Sequence, residues 1–484
     1  MKREVMIDRI KKTPDGWDVI VIGGGATGLG TAVDAATRGL KTLLVEAGDF
    51  ACGTSSRSTK LVHGGLRYLQ QGHIHLVYEA LHERRLLLSN APHLVHKRDF
   101  FVPAYKWWEL PFYGLGVKLY DLLSFGSRLN PSHFISRKNA LQLMPTVNPQ
   151  SLKGGIIYTD GQFNDARLAI TLAQTLSNLS GVCINYMPVQ NFIKENDQIT
   201  GIEVHDTIND KRYSLRGKHI INCTGTFTDQ IRQLDDPNCT PIMRLSQGIH
   251  LTLPRAFLPS DTALLVPKTA DGRVLFIIPW HDHTLIGTTE TPLDQPTIDP
   301  KPFDQEIEFI LSGVAPYLTS PPTKNDILAT FAGVRPLVSA SSKETGKLAR
   351  THRILKAPSG LITLTGGKWT TYRKMAQDVI DTITKIPCTT QTLKLHGYAP
   401  YKPCDHLGIY GSDREHVKAL IASHPDYAQP LHPDHPYLLG EAIWAMRHEM
   451  AQNTEDILQR RLPLALLDES ATTSARALIE SKTP

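Results

Sequence analysis

Arg67, Arg335, Arg350 and Lys368 stand in four separate stretches, "GGLRY", "GVRPL", "ARTHR" and "GGKWTT", each beside a glycine turn or the end of an expected strand. Cations brought together in a dry site repel one another, so the cluster is costly to assemble unless an anion joins it. A phosphate dianion fits that need, because guanidinium presents planar, charge-assisted donors. A second set of residues has a different chemistry. Gly23, Gly25 and Gly28 stand in the order G-x-G-x-x-G within "VIGGGATGLG", and Glu46 closes "KTLLVE". Gly23 permits a tight bend, Gly25 lets backbone approach a pyrophosphate, and Gly28 lets a helix pack closely on a strand.

These residues work only if regular elements hold them. Residues 19–22 are β-branched and read as a buried strand, residues 29–38 have helical spacing, and residues 41–46 form a second strand. The helix N-terminus then offers free N–H groups to phosphates, and the Glu46 carboxylate can accept from ribose hydroxyls. That is a dinucleotide turn, which by itself does not separate FAD from NAD. The stretch "ACGTSSRSTKLVHGGLRYLQQG" supplies many donors from Thr54, Ser55 and Ser56, with Lys60 and His63 following. Gly64 and Gly65 allow backbone to lie against a flat ligand, and Arg67 and Tyr68 come next, placed to face whatever lies over the cofactor.

Two further segments repeat the pattern. Gly225 ends the strand of "GKHIINCTGTF", and residues 360–383 run strand, glycine pair, helix, with Gly367, Lys368 and Thr370 at the turn. Three glycine turns at strand C-termini suit a cofactor longer than the crevice NAD needs. Residues 242–334 are strand-rich and read as a sheet inserted into the first domain, forming the wall opposite the cofactor. The expected fold is α/β: a Rossmann-like FAD-binding domain (16–75, 152–240, 335–387), an inserted antiparallel-sheet substrate or cap domain (76–151, 241–334) and a C-terminal helical domain (388–484).

Composition bounds the partners. With 484 residues, 41% of them hydrophobic, the chain exceeds one core and has room for a large buried cofactor. Cys52, Cys183, Cys223, Cys239, Cys388 and Cys404 form no C-x-x-C pair and no metal-ligand spacing, so reduced thiols in a cytoplasmic protein and no metal are expected. A net charge of +5 is mild, and no basic block interleaved with aromatics marks a nucleic-acid partner. No run of 18 apolar residues is present, so membrane contact must be peripheral. Residues 100–130 hold Tyr105, Trp107, Trp108, Phe112, Tyr113 and Tyr120 with Lys106 and Lys118, a mixture that serves either a membrane interface or a core.

"VIGGGATGLG", "TSSRSTKLVHGGLRYL", "FAGVRPL", "RTHRI" and "GGKWTTYRKMA" together resemble the FAD-dependent glycerol-3-phosphate dehydrogenase family, within the glycine-oxidase-like flavoproteins. "AMRHEMAQNTEDILQRR" is similar to that family's C-terminal helical domain. The resemblance implies FAD as cofactor, sn-glycerol 3-phosphate oxidised to dihydroxyacetone phosphate, and electrons passed to a membrane quinone. It also implies an enzyme attached peripherally to an anionic membrane surface, the cytoplasmic face of the inner membrane, and leaves room for a homodimer. It places His250, Arg335, Arg350, Lys368 and Tyr68 around the substrate. Of these His250 alone has an ordinary pKa near neutrality and is the preferred base, with Arg335 stabilising the developing alkoxide. Two rivals stand beside it: an amine or amino-acid oxidase of the same fold, which needs one arginine and an apolar side-chain pocket, and an FAD-containing RNA-modifying protein, which shares the glycine turn and needs an RNA-binding face.

Overall fold

The computed structural model describes residues 1–66, 69, 72–124, 129–269, 271–338, 352–400 and 405–482. The first strand, Trp17–Ile22, is buried along nearly its whole length and lies between Thr42–Val45 and Lys211–Asn222, parallel to both. Strand Ile362–Thr365 extends this parallel sheet on one side and Val182–Ile184 on the other. The long strand Lys211–Asn222 serves two purposes. Residues 217–222 pair with the first strand, while 211–216 turn antiparallel against Gln198–Asp206 and so start a separate meander.

The helix after the first strand runs Ala26–Thr37, three residues earlier than its spacing suggested, because it starts inside the glycine run. Its N-cap is Gly25, which has no side chain to cap it, and the Ser55 hydroxyl accepts from the Ala26 amide instead. A Cβ at Gly30 would stand 2.6 Å from the Tyr372 ring, so this glycine lets helix Tyr372–Asp381 pack directly on it. Helix Asp165–Asn178 is capped by Asn164, whose side chain accepts from the Arg167 amide at 3.1 Å.

The second sheet has ten strands among the described residues and is antiparallel except where Ala263–Val266 runs parallel to Val95–Ala104. The domain limits expected at 152 and 335 cut through it. Strand Gly154–Phe163, assigned from sequence to the FAD-binding domain, pairs with Val95–Ala104, and strand Ala329–Val338 continues past residue 334. Gly154–Phe163 is buried at every position, so it shows no alternation to tell which sheet it joins. The C-terminal helices Arg414–Ala422, Leu439–His448 and Glu469–Lys482 follow as expected. Leu439, Ala442, Leu464 and Ile479 share one core with Phe100, Leu285 and Phe331 of the ten-stranded sheet.

Helix Glu109–Leu123 buries Gly114, Val117 and Tyr120 and leaves Leu115 (75%) and Leu122 (67%) exposed. Trp107, Trp108 and Phe112 are 70%, 58% and 55% exposed, whereas Tyr105, Tyr113 and Tyr120 pack against core clusters, so the aromatic stretch divides between surface and core. Among the described residues no helix is long and apolar enough to cross a membrane.

Candidate functional site

A cavity of about 1330 Å³ runs from the glycine turn to the wall made by the ten-stranded sheet, and it includes Phe112, Leu115 and Leu119 of the outward-facing helix. At its first end Gly23 has φ of 111° and donates to Val45 O at 2.9 Å. A Cβ at Gly25 would meet nothing nearer than the Ser55 hydroxyl at 3.1 Å, so the cavity face of the turn is bare backbone. Gly28 does not line the cavity. A Cβ there would stand 1.9 Å from Gly23 O, and only glycine lets the helix close on the turn. Bare backbone, a helix N-terminus and an acid at the next strand end fit a dinucleotide.

Glu46 closes this end. Its carboxylate accepts from the amides of Gly24 and Gly48, the latter at 2.8 Å. Burial pushes the carboxyl up, against those two hydrogen bonds, and the charge of Asp49 adds to the rise. Thr54 and Ser55 line the cavity as expected. Ser55 accepts from the Ala26 amide at 2.9 Å through its hydroxyl and from Trp369 Nε1 at 2.8 Å through its carbonyl, which ties the loop to the turn and to the glycine pair at 366–367. His63, Gly65, Gly225, Gly367, Lys368 and Thr370 also face the cavity. Ser56 and Gly64 sit behind it. The Ser56 hydroxyl turns back toward Gly53 O, and the Gly64 amide donates to the Tyr120 hydroxyl at 2.8 Å.

Lys60 was expected on the cofactor and is not there. Its ammonium is buried, 2.7 Å from Asp165 and 2.6 Å from Ser56 O, over the rings of Trp280 and Phe331. Asp165 also accepts from the Ser58 amide and hydroxyl, at 3.0 and 2.7 Å, so the pair pins the donor loop to the start of helix Asp165–Asn178. A run of hydroxyls around a lysine reads locally as a ligand loop; the two aromatic rings that enclose the lysine come from far along the chain.

At the other end two antiparallel strands carry His250 and Arg335. Met243–Pro254 pairs with Ala329–Val338 so that Ser246 faces Arg335, Gly248 faces Gly333 and His250 faces Phe331. Side chains two apart share a face, and the glycines between the large residues leave a floor for them. A Cβ at Gly248 would stand 2.4 Å from Arg335 Nη2, and one at Gly287 only 2.1 Å from the His250 ring. Arg335 Nη1 donates to Thr289 O and Nη2 to the Thr288 hydroxyl, both at 3.0 Å, which fixes the guanidinium plane.

His250 lies flat on Phe331, ring centroids 4.8 Å apart, with Nε2 2.9 Å from the Thr59 hydroxyl. Among the described residues Nδ1 has no hydrogen-bond partner. The expectation of an ordinary pKa does not hold. Burial, with the charges of Lys60 and Arg335, pushes the imidazole well below its usual value and keeps it neutral. Arg67, Tyr68 and Arg350 lie outside the described residues. Sequence reasoning missed Arg57 and Arg273 as lining cations, Thr59 as the partner of His250, and Trp369. Arg57 sits inside the same donor loop, where its neighbours drew the attention; Arg273, in "DGRV", carries no local sign.

Residues 18–373 match the FAD dependent oxidoreductase family, and residues 360–480 match the C-terminal domain of alpha-glycerophosphate oxidase. The chain is 39% identical to the mitochondrial glycerol-3-phosphate dehydrogenase of Mus musculus, over 98% of this chain and 71% of that one. Among solved structures it is similar to the glycerol-3-phosphate dehydrogenase of Bacillus halodurans complexed with FAD, with a TM-score of 0.81 and 28% identity, covering 99% of this chain and 92% of the other. Glycine oxidase from Geobacillus kaustophilus shares the fold, with a TM-score of 0.56 and 18% identity over 78% of this chain and 98% of its own. The chain belongs to the FAD-dependent glycerol-3-phosphate dehydrogenase family.

Proposed function

We propose that this enzyme oxidises sn-glycerol 3-phosphate to dihydroxyacetone phosphate and passes the electrons to a membrane quinone. The observation that carries the reading is the pairing of a neutral, buried His250 with a fixed Arg335 across a glycine floor, in the cavity that the dinucleotide turn opens. Gly23, Gly25 and the Ala26–Thr37 helix N-terminus would hold the pyrophosphate, Glu46 the ribose, and the Gly65, Gly225 and Gly367 turns the remainder. Bound FAD supplies, at flavin N5, the acceptor for the hydride that leaves the carbinol carbon.

The chain's own residues handle the proton and the charge. His250 is uncharged and would take the hydroxyl proton at Nε2, the nitrogen 2.9 Å from the Thr59 hydroxyl, as the carbinol carbon is oxidised; Nδ1 is buried away from the cavity. The fields of Lys60 and Arg335 oppose imidazolium formation in the empty enzyme. A phosphate dianion in the cavity near Arg335 offsets that cation's share of the field, so substrate binding itself makes His250 a better base. Arg335 stands ready to stabilise the developing alkoxide. Arg350 and Lys368, with Arg67 and Tyr68, are the remaining substrate contacts of this reading.

An amino-acid oxidase is the second reading, since its fold is the same; the lining cations Arg57, Arg273, Arg335 and Lys368 suit a phosphate better than a lone carboxylate. Peripheral attachment to the cytoplasmic face of an anionic membrane, through the exposed aromatics of residues 107–122, would bring the apolar part of the cavity wall to the lipid where a quinone resides. Anaerobic bleaching of the flavin spectrum tests the reading. sn-Glycerol 3-phosphate should reduce the flavin within one turnover, and glycine and sarcosine should not. Bleaching by an amino acid with no response to glycerol 3-phosphate would overturn it.

A further inference from the structure

The C-terminal domain reaches the cofactor end of the cavity through one buried carboxylate. Asp49 follows Glu46 in a loop whose residues Ala47, Gly48, Ala51, Cys52 and Gly53 line the cavity. The Asp49 side chain is 1% exposed and accepts from Arg460 Nε at 2.6 Å, from both terminal nitrogens of Arg461, and from Asn185 Nδ2 at 3.1 Å. Both arginines belong to the single π-helical turn Ile457–Arg461, an irregularity that often marks a functional position. Each is held from behind: Arg460 Nη2 donates to Asp456 at 2.7 Å, and Arg461 Nη2 to Glu449 O at 2.7 Å.

The rest of the loop is held by Phe50, buried in the core, and by backbone bonds, among them Glu46 N to Ile184 O at 2.9 Å and Met187 N to Glu46 O at 2.7 Å. The Asp49 carboxylate is its side-chain link to the C-terminal domain. Cys52 N donates to Asp49 O at 3.1 Å, Ala51 N to Gly24 O at 3.0 Å, and Tyr186 N to Gly48 O at 2.8 Å. Glu46 and Asp49 are two buried acids close enough for each to oppose the other's charge. Burial pushes the Asp49 carboxyl up, and Arg461 and Arg460 outweigh it, holding the group ionised and neutralised. Glu46 is thereby left as the acceptor that faces the cavity.

The C-terminal domain also docks by a comparable pair at Glu449, through the side-chain carboxylate and not the carbonyl that supports Arg461. Arg167 Nη1 and Nη2 donate to Glu449 at 2.6 and 2.8 Å, both side chains buried, but neither residue lines the cavity. The molecule thus contains a cofactor-side clamp and a plain docking clamp of the same chemistry.

We propose that Arg460 and Arg461 are positioning residues for FAD: by gripping Asp49 they hold the Glu46–Gly53 loop in the form that seats the ribose, and the C-terminal domain is a device for retaining the cofactor. The proposal rests on the reading of Glu46 as the ribose acceptor. The test compares Arg461→Lys and Arg460→Lys, which keep the charge and lose the fork, with Arg167→Lys and with Glu46→Gln. FAD release from diluted holoenzyme is followed by flavin fluorescence, and melting temperature is measured alongside.

The cofactor-side variants should release FAD about ten-fold faster or more, with kcat restored by excess FAD. Arg167→Lys should lower the melting temperature as much and leave FAD release within about two-fold of the parent. Parental FAD release in both cofactor-side variants, or equal acceleration by Arg167→Lys, overturns the proposal. If Glu46→Gln keeps parental FAD affinity while the arginine variants lose it, the ribose seat is misplaced, a signature distinct from failure of the clamp. Where a variant does not fold, the parent decides: removing FAD should speed amide hydrogen exchange across residues 457–462, and unchanged exchange there overturns the proposal.

Discussion

At the glycine-turn end of the cavity much of the wall is backbone from residues 22–55, with the Glu46 carboxylate beside it; at the far end it is side chains delivered by strands Met243–Pro254 and Ala329–Val338 and by the loops around them. The first end works because atoms are missing: no Cβ at Gly25 and none at Gly28. The second works because large side chains are fitted over small ones, Arg335 over Gly248 and His250 against Gly287. A backbone site tolerates change in its neighbours and fails abruptly when a carbon is added. A side-chain site loses function group by group.

The most damaging change is therefore expected at the backbone end. Gly28→Ala places a Cβ 1.9 Å from Gly23 O, an atom that cannot move without opening the turn. The purified variant should carry little or no flavin, read from its visible spectrum, and should have no activity. A flavin-loaded Gly28→Ala enzyme would mean that helix and turn separate easily, and the contrast between the two ends would fall.

At the side-chain end His250→Asn keeps the size and a polar group and removes the base. Its kcat should fall by about 10²–10⁴-fold, the usual worth of a positioned general base, with FAD content as in the parent. Arg335→Ala should cost several kcal/mol of transition-state stabilisation, about 2–4, again with flavin retained. If either variant loses flavin along with activity, the two ends are not independent.

How much of this was legible follows the same division. Gly23, Gly25, Gly28 and Glu46 could be read because bend, approach and acid all lie within a few turns of one another in the chain, and local spacing dictates their geometry. Lys60 could not, since Trp280, Phe331 and Asp165, which bury and pair it, are remote in sequence. His250 was found by type, but its depressed pKa depends on Lys60 and Arg335, neither of them a sequence neighbour. Strand Gly154–Phe163 was not singled out: it is buried at every position and shows no alternation, and its sheet is decided by pairing, which a single run of residues does not record.

Buried neutral histidines give the next effect. Burial, with Arg167 nearby, lowers His93 to about 4, and His250 is lowered too. An unfolded chain binds protons at these residues near pH 6.5, while the folded chain does not. The sign follows from the depressed folded pKa: this stability is complete above about pH 6.5 and is lost as pH falls toward about 4, each group adding a slope of up to about 1.4 kcal/mol per pH unit. Melting temperature should fall between pH 7 and pH 5, and a phosphate-bearing substrate analogue should blunt the fall by stabilising protonated His250. A flat profile would show that the rings already hold their protons in the fold.

The smallest change in stability is expected where the exposed aromatics stand. Trp107, Trp108 and Phe112 are more than half exposed, and helix Glu109–Leu123 is held from its other side by Val117 and Tyr120, with the Tyr120 hydroxyl 2.6 Å from Asp160. Replacing all three with serine removes little that folding buries, so each should shift stability by no more than about 0.5 kcal/mol; a core cluster of the same residues would cost about 3–5 kcal/mol apiece. Lipid binding should respond far more, because aromatics at headgroup depth and lysines such as Lys106 and Lys118 act together on an anionic surface. The parent should sediment with anionic vesicles at low salt, leave them in part as salt screens the lysines, and reduce quinone faster with lipid present. The triple variant should stay folded and flavin-loaded while losing most vesicle binding and the lipid stimulation. A variant that binds vesicles as the parent does would move the docking surface away from residues 107–122, and the C-terminal helices would be the next place to substitute.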